Sequence, residues 1–345
     1  MTLHPPSWWQ NETGRILPKY LAPLGNLYGA IVKARFRYTK QYECRLPVVC
    51  IGNFTQGGTG KTPISIKLAS MMQQEGWQPT FLSRGYKGKT AGPILVDSEI
   101  HNAEDVGDEP LLLTRQAPTI VAKNRVDGIW LIEQRKSNFV ILDDGFQNPT
   151  VRKNISIIAI DSATGLGNYR IFPAGPLRAP LDFQLARADA IIVTGGNSER
   201  IFTELKTKYE FKNPILSGSL RPVEDTGWVK DKPILAYAGI ARPEKLFGSL
   251  QKAGGKVIRR IPFPDHHQFT AKDANLLTKL ALADDLQLIT TEKDLVRITD
   301  KQSHQLRALK RMSRAFPVEF VFDEDGEATL LQLIQSHFPR PPKPE

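Results

Sequence analysis

The sequence predicts an α/β fold: a mostly parallel sheet covered by helices, a second and smaller α/β unit, and an N-terminal amphipathic helix. Three observations predict it. From residue 47 onward, short β-branched runs alternate with helical stretches, which is the signature of parallel strands joined by crossover helices. The 345 residues suit two domains or one large one, each able to bury its own core. Composition is ordinary, with 41% hydrophobic and 24% charged residues, which excludes a disordered chain, a collagen or a coiled coil.

Residues 1–46 form the first expected unit, a membrane-associating helical segment. Leu17, Leu21, Leu24, Tyr28 and Ile31 recur at steps of four and three, so they share one stripe of a helix. Pro18 and Pro23 argue for broken or kinked first turns. Seven basic residues (Arg15, Lys19, Lys33, Arg35, Arg37, Lys40 and Arg45) stand against Glu12 and Glu43, half of the chain's formal +10. Trp8 and Trp9 precede the stripe, and most of the basic cluster follows it. That arrangement suits a helix in the interface of an anionic membrane, although the stripe by itself favours a helix docked on the protein's own core with a solvated basic end. No basic, aromatic-interleaved motif supports nucleic acid as a partner.

Strands are expected at 47–51, 79–83, 139–143, 155–160 and 190–194, and helices at 61–74 and 124–135. A polar stretch at 221–232, punctuated by Pro222 and Gly227 and followed by Pro233, marks a boundary. It divides a nucleotide-binding domain, 47–228, from a smaller C-terminal α/β domain, 229–345, with strands at 234–240, 256–261 and 286–291. Residues 339–345 read as a frayed tail. No run of about 18 apolar residues and no signal core is present, and Cys44 and Cys50 are too few for a disulfide framework. The expected compartment is the cytoplasm.

The most informative segment runs Ile51-Gly52-Asn53-Phe54-Thr55-Gln56-Gly57-Gly58-Thr59-Gly60-Lys61-Thr62-Pro63. A strand enters a glycine-rich turn and then a helix, so successive N–H groups and the helix N-terminus converge on one anion site. This makes the fold P-loop NTPase-like. Residues Thr55, Gln56, Gly57, Gly58, Thr59, Gly60, Lys61 and Thr62 are the expected phosphate cradle. Lys61 supplies charge to the β- and γ-phosphates, and the Thr62 hydroxyl is placed for Mg²⁺. Thr55 stands where the general pattern has glycine.

A second acidic component is expected at the end of a neighbouring strand. Asp143 and Asp144 in Leu142-Asp143-Asp144-Gly145 supply it, although Asp144 also suits the opening of a turn. Neighbouring residues of a strand face opposite ways, so both reach the metal only if the strand has ended. A GTPase base-reading motif is absent, since Thr291-Glu292-Lys293-Asp294 has the wrong spacing. Gln56 replaces the lysine that positioning ATPases carry before their paired glycines. Both absences favour a kinase.

Together these blocks resemble the tetraacyldisaccharide 4′-kinase family of lipid A biosynthesis. To the P-loop they add Ser83-Arg84-Gly85-Tyr86, Val106-Gly107-Asp108-Glu109-Pro110, Leu142-Asp143-Asp144-Gly145-Phe146-Gln147 and Pro173-Ala174-Gly175-Pro176-Leu177-Arg178. Gly239-Ile240-Ala241-Arg242-Pro243, Phe263-Pro264-Asp265-His266-His267 and Thr291-Glu292-Lys293-Asp294 follow in order. Thr55 also fits this family. The resemblance implies transfer of the ATP γ-phosphate, with Mg²⁺, to the 4′-hydroxyl of tetraacyldisaccharide 1-phosphate, giving lipid IVA. It implies a peripheral enzyme at the cytoplasmic face of the inner membrane, meeting an anionic surface and an acylated glucosamine disaccharide lipid. It implies Asp108 as general base with His266 as its partner, and Arg84, Gln147 and Arg178 as substrate contacts; read alone, Asp108 is a turn or N-cap residue. A P-loop ATPase switch acting on a membrane-bound partner and a non-catalytic membrane-docking module are the competing readings.

Two positions depart from the family. Asn148 stands where histidine is usual after Gly-Phe-Gln, and Ala179 where an acidic residue usually follows Pro-Leu-Arg. Neither carries a charge.

Overall fold

The computed structural model describes residues 6–10, 16–223, 226–299, 303–339 and 341. Arg15 and Glu12 of the basic segment, and most of the expected 339–345 tail, lie outside the described residues.

Thirteen strands are described: β1 (Val48–Gly52), β2 (Pro79–Ser83), β3 (Ile94–Leu95), β4 (Thr119–Val121), β5 (Phe139–Asp143), β6 (Ile155–Asp161), β7 (Ala190–Thr194), β8 (Ile215–Pro222), β9 (Pro233–Ala238), β10 (Lys256–Pro262), β11 (Gln287–Thr290), β12 (Ser313–Ala315) and β13 (Val318–Phe322). Nine of them form one sheet in the order β13-β8-β7-β6-β1-β5-β2-β4-β3. Four form a second, β10-β9-β11-β12. Every pairing is parallel except β13 with β8 and β3 with β4, at the two edges of the larger sheet. The central strands β1, β2, β5, β6 and β7 are buried along their whole length, as a sheet covered on both faces requires. Their residues alternate between two cores. Val48, Cys50, Val140, Leu142, Ile158 and Ile191 face one layer of helices, while Val49, Ile51, Phe139, Ile141, Ile157 and Ile192 face the other.

The expected division at 228 and 229 needs a correction. β9 to β12 build the smaller sheet, but β13 then returns and pairs with β8, Val318 opposite Pro222 and Phe322 opposite Gly218. The following helix, Gly326–His337, puts Leu330 and Ile334 into the larger core. The chain therefore crosses between the two sheets twice, and residues 318–338 belong with the first.

The N-terminal helix also differs from its pattern. It runs unbroken from Ile16 to Tyr38, with Pro18 in the first turn, where its missing N–H leaves nothing unpaired, and Pro23 inside. It does not bury the stripe read from the spacing: Leu24 is 56% and Ile31 58% exposed. The buried positions are Pro18, Gly25 and Gly29. A Cβ on Gly25 would lie 2.7 Å from the Ile171 carbonyl oxygen, so only glycine permits the approach. Tyr28 meets Phe172 edge-on at 5.7 Å and Phe36 meets Phe183 at 5.4 Å. The helix is thus held by small residues and aromatic contacts, and its large aliphatic side chains are left outward. No helix among the described residues is long and apolar enough to cross a membrane.

Candidate active site

The P-loop sits between β1 and the helix Lys61–Gln74, at the carboxyl ends of the parallel strands. The segment 173–178 braces it. Gln56 N donates to Pro176 O (2.9 Å), Arg178 N to Phe54 O (2.9 Å), and the Arg178 guanidinium Nε to Thr55 O (3.1 Å). Gln147 Nε2 donates to Asn53 O at 2.7 Å, and Arg178 Nη1 reaches both Gln147 Oε1 and Asp144 Oδ1 at 3.1 Å. Arg178 and Gln147, expected at the substrate, are thus engaged in fixing the loop, although both still line the cleft. Arg84 is exposed and stands outside that lining. Asn148 accepts from Thr150 N (2.8 Å) and Oγ1 (2.6 Å), closing a local turn, and Ala179 is buried with its carbonyl bound by Gln184 Nε2 at 2.9 Å.

The paired aspartates separate by backbone geometry. β5 ends at Asp143, and Asp144 follows with φ of 52°, so the alternation of an extended strand no longer fixes where its side chain points. Asp144 Oδ1 lies 3.7 Å from Lys61 Nζ. Burial works against its charge, but Lys61 and Arg178 hold it at about 2. Asp143 Oδ1 accepts from Ser65 Oγ at 2.8 Å, and its Oδ2 is buried with no hydrogen-bond partner among the described residues. Burial, then the nearby Glu109 carboxylate, pushes Asp143 up to about 7. Asn53 Oδ1 and Thr59 Oγ1 are likewise buried and unpartnered. Buried polar atoms normally have partners, so a cluster of three such atoms at the loop and the adjacent strand end fits a bound polar group.

No group of three or more His, Cys, Asp or Glu side chains suited to a metal is found among the described residues. A P-loop cation needs fewer, because phosphate oxygens and water complete its shell. The orphaned Asp143 Oδ2 and the buried Thr62 fit such an ion.

Beside the helix that carries Lys61, Asp108 opens the helix Asp108–Leu113. Gly107 precedes it with φ of 89°, and a Cβ there would lie 2.7 Å from Tyr86 O, so the turn that aims Asp108 needs glycine. His266 Nδ1 lies 3.0 Å from Asp108 Oδ2; the carboxylate only accepts, so Nδ1 carries the proton. His266 has φ of 55°, its N–H donates to Gly239 O at 2.9 Å, and its ring meets Tyr86 at 5.4 Å. His267 turns away to Asp273 (3.0 Å) and stacks on Phe263.

Sequence reasoning missed several partners. Arg297 Nε donates to Asp108 Oδ2 at 2.8 Å, and Arg297 Nη2 to the same oxygen. Burial opposes the charge of Asp108, but His266, Arg297 and Lys293 outweigh it and keep the carboxyl well below the usual carboxylate range. Glu109 pairs with Lys293 at 2.8 Å. Asp161, at the end of β6, holds Arg242 (2.8 Å) and Lys245 (2.5 Å) of the smaller unit. The signal for Lys293 lay inside the Thr-Glu-Lys-Asp block. Arg297 was findable as the residue one helical turn after Asp294, its partner at 2.8 Å.

These groups face one cleft of about 1460 Å³ between the two sheets, lined by residues 56–62 with Asp144, Arg178, Arg242, His266 and Lys293. A phosphate cradle at a parallel sheet's carboxyl edge, opposite a carboxylate–imidazole pair, defines the class: a P-loop nucleotide-binding protein built for phosphoryl transfer. Comparison with known proteins narrows this. The family model described as tetraacyldisaccharide-1-P 4'-kinase matches residues 17–335, and the chain belongs to that family. A relative from Bradyrhizobium sp. named tetraacyldisaccharide 4'-kinase is 41% identical over 326 residues, 93% of each chain. One of the same name from Methylobacterium nodulans is 41% identical over 99% of this chain and 98% of its own. Among solved structures, LpxK from Aquifex aeolicus, described as an "apo" form in complex with ATP, superposes with a TM-score of 0.71. At 24% identity, with 94% of this chain and all of that one covered, it shares the fold.

Proposed function

We propose that this enzyme transfers the γ-phosphoryl group of ATP to the 4′-hydroxyl of tetraacyldisaccharide 1-phosphate, giving lipid IVA. The observation that carries this reading is one cleft that holds both the P-loop with Lys61 and His266, which is backed by Asp108. The acceptor oxygen attacks the γ-phosphorus as the bond to the β-phosphate oxygen breaks and ADP leaves. The hydroxyl proton passes to the Asp108–His266 pair. Residues 55–62 hold the phosphates, with Lys61 released from Asp144 to follow the developing charge. Thr62, with Asp143 or Asp144, would hold Mg²⁺, whose bound charge neutralises the β- and γ-phosphate oxygens. Of the two, Asp143 offers the free oxygen. Arg178 and Gln147 support the loop.

The test is ATP turnover with and without the acylated disaccharide. The kinase reading requires ADP and a phosphorylated lipid in equal amounts, with little ADP when the lipid is omitted. ATP hydrolysis indifferent to the lipid would instead favour the switch.

We further propose that the enzyme works from the cytoplasmic face of an anionic inner membrane, through its N-terminal helix. Each acyl CH₂ costs about 0.8 kcal/mol to expose, so the enzyme has to go to the bilayer. The outward Leu17, Leu24, Leu27 and Ile31 beside Lys33, Arg35 and Arg37 support this. Deleting residues 1–40 is expected to release the protein from anionic vesicles, and salt to weaken binding of the intact chain, because its basic residues act through a screened potential. Equal partitioning of the truncated and intact proteins would refute a membrane role for the helix.

A further inference from the structure

We infer that Arg297 is a positioning residue of the proton-accepting pair, fixing Asp108 behind His266 and tying that carboxylate to the loop at Gly239. The inference rests on the kinase reading above and on Asp108 and His266 as the base.

Arg297 ends the helix Glu292–Arg297 and is only 2% exposed. Its planar fork is fully engaged. Nε and Nη2 both donate to Asp108 Oδ2, Nη2 also lies 3.3 Å from His266 Nδ1, and Nη1 donates to Gly239 O at 2.7 Å and to Asp294 Oδ1 at 2.8 Å. Asp294 is itself fixed, accepting from Gly239 N at 3.0 Å and from Thr291 Oγ1 at 2.5 Å. Asp294 thus supplies one carboxylate to the guanidinium from within the same helix. The second carboxylate, Asp108, lies 189 positions away in sequence and comes from the unit that carries the P-loop.

What the contact does is set the geometry of the imidazole. Gly239 O accepts from both Arg297 Nη1 and the His266 backbone N–H, so one carbonyl fixes the histidine and the arginine together. Asp108 Oδ2 then accepts the hydrogen bond of His266 Nδ1–H, which leaves Nε2 with its lone pair. His266 lines the cleft, whereas Asp108 is 4% exposed and stands behind it. The proton of the acceptor hydroxyl thus arrives first at His266 Nε2, and Arg297 keeps Asp108 ionised and aligned to stabilise the imidazolium. A lysine would place one ammonium where the fork spans three acceptors.

The sign of the pH effect follows from the charges around Asp108. His266 and Arg297 touch it, Lys293 lies near and is paired with Glu109, Asp294 lies beyond Arg297, and the Asp265 carboxylate lies 4.0 Å from His266 Nε2. Removing the Arg297 cation favours a proton on the pair. The protonated, inactive form then persists to higher pH, so the acid limb of the kcat profile moves up.

Full-length wild type, Arg297→Met and Arg297→Lys are compared for lipid phosphorylation across pH, with circular dichroism to confirm folding. Arg297→Met is expected to lower kcat at least about tenfold, with the KM for ATP little changed, and to raise the acid limb by about one pH unit or more. Added guanidinium should restore part of its activity. Arg297→Lys retains the cation, so its acid limb should stay near the wild-type position while kcat falls to an intermediate value. An unshifted acid limb in folded Arg297→Met, or a loss confined to the KM for ATP, would overturn the inference. If Arg297→Met does not fold, Arg297→Lys decides: reduced kcat with the limb in place supports the role, and wild-type kcat refutes it. Absence of lipid phosphorylation by the wild type would instead count against the kinase reading itself.

Discussion

Lys61→Ala is expected to lower kcat/KM by about 10²–10³ or more. One neutral donor aimed at developing charge is typically worth about 2.7–4 kcal/mol, and Lys61 brings a full cation to a site whose side chains are largely shielded from water. Its side chain is 10% exposed and its ammonium meets Asp144 at 3.7 Å, so the pair is screened less than a surface pair would be. The substitution also leaves Asp144 facing the phosphates with one cation fewer, which adds repulsion to the lost attraction. Single-turnover assays at saturating ATP separate the chemical step from binding. Activity within roughly tenfold of wild type, about 1.4 kcal/mol, would exclude Lys61 from the transferred phosphate.

The second large effect concerns the pair opposite. Asp108→Ala and His266→Ala are each expected to lower kcat by about 10²–10⁴, the usual range for a positioned acid–base group. The double variant should be little worse than the weaker single one, because the two act through the same hydrogen bond, 3.0 Å long. Fully multiplicative losses would mean two separate functions and sink the pair. Imidazole is the side chain that ordinarily changes charge between about pH 5 and 8, and only its neutral form accepts a proton, so wild type should lose kcat on the acid side. That limb should vanish in His266→Ala. Asp108 contributes no limb in this range, since Arg297 and His266 keep it ionised far below it.

Asp108 and His266 lie 158 positions apart and come from different sides of the cleft. Relative movement of the two sheets would therefore assemble or separate the base. Asp161, which holds Arg242 and Lys245 across the same cleft, adds a second tie between the units. A base complete only when both units close on their substrates would limit wasteful hydrolysis of ATP.

The sequence by itself determined what short-range stereochemistry dictates. β-Branched runs at 139–143 and 190–194 became β5 and β7 with the bounds expected, because a strand buried on both faces must be apolar throughout. The phosphate loop was equally legible, since the strand, the glycines, Lys61 and Thr62 are contiguous and the anion site they make is local. The pairing of Asp108 with His266 came from family resemblance, because residue types alone left both as ordinary loop side chains. Tertiary structure decided the rest. Periodicity placed Leu24 and Ile31 on one stripe but could not say that the helix would dock through Gly25 and Gly29, a choice made by the shape of the Ile171 surface. Pro222 and Pro233 suggested a boundary, yet β13 returned to β8, because a β-strand finds its neighbour by register and burial whatever the distance along the chain. Arg297 carries no periodic or motif signal for Asp108; only the fold brings them together, where a buried guanidinium must find acceptors for all its donors.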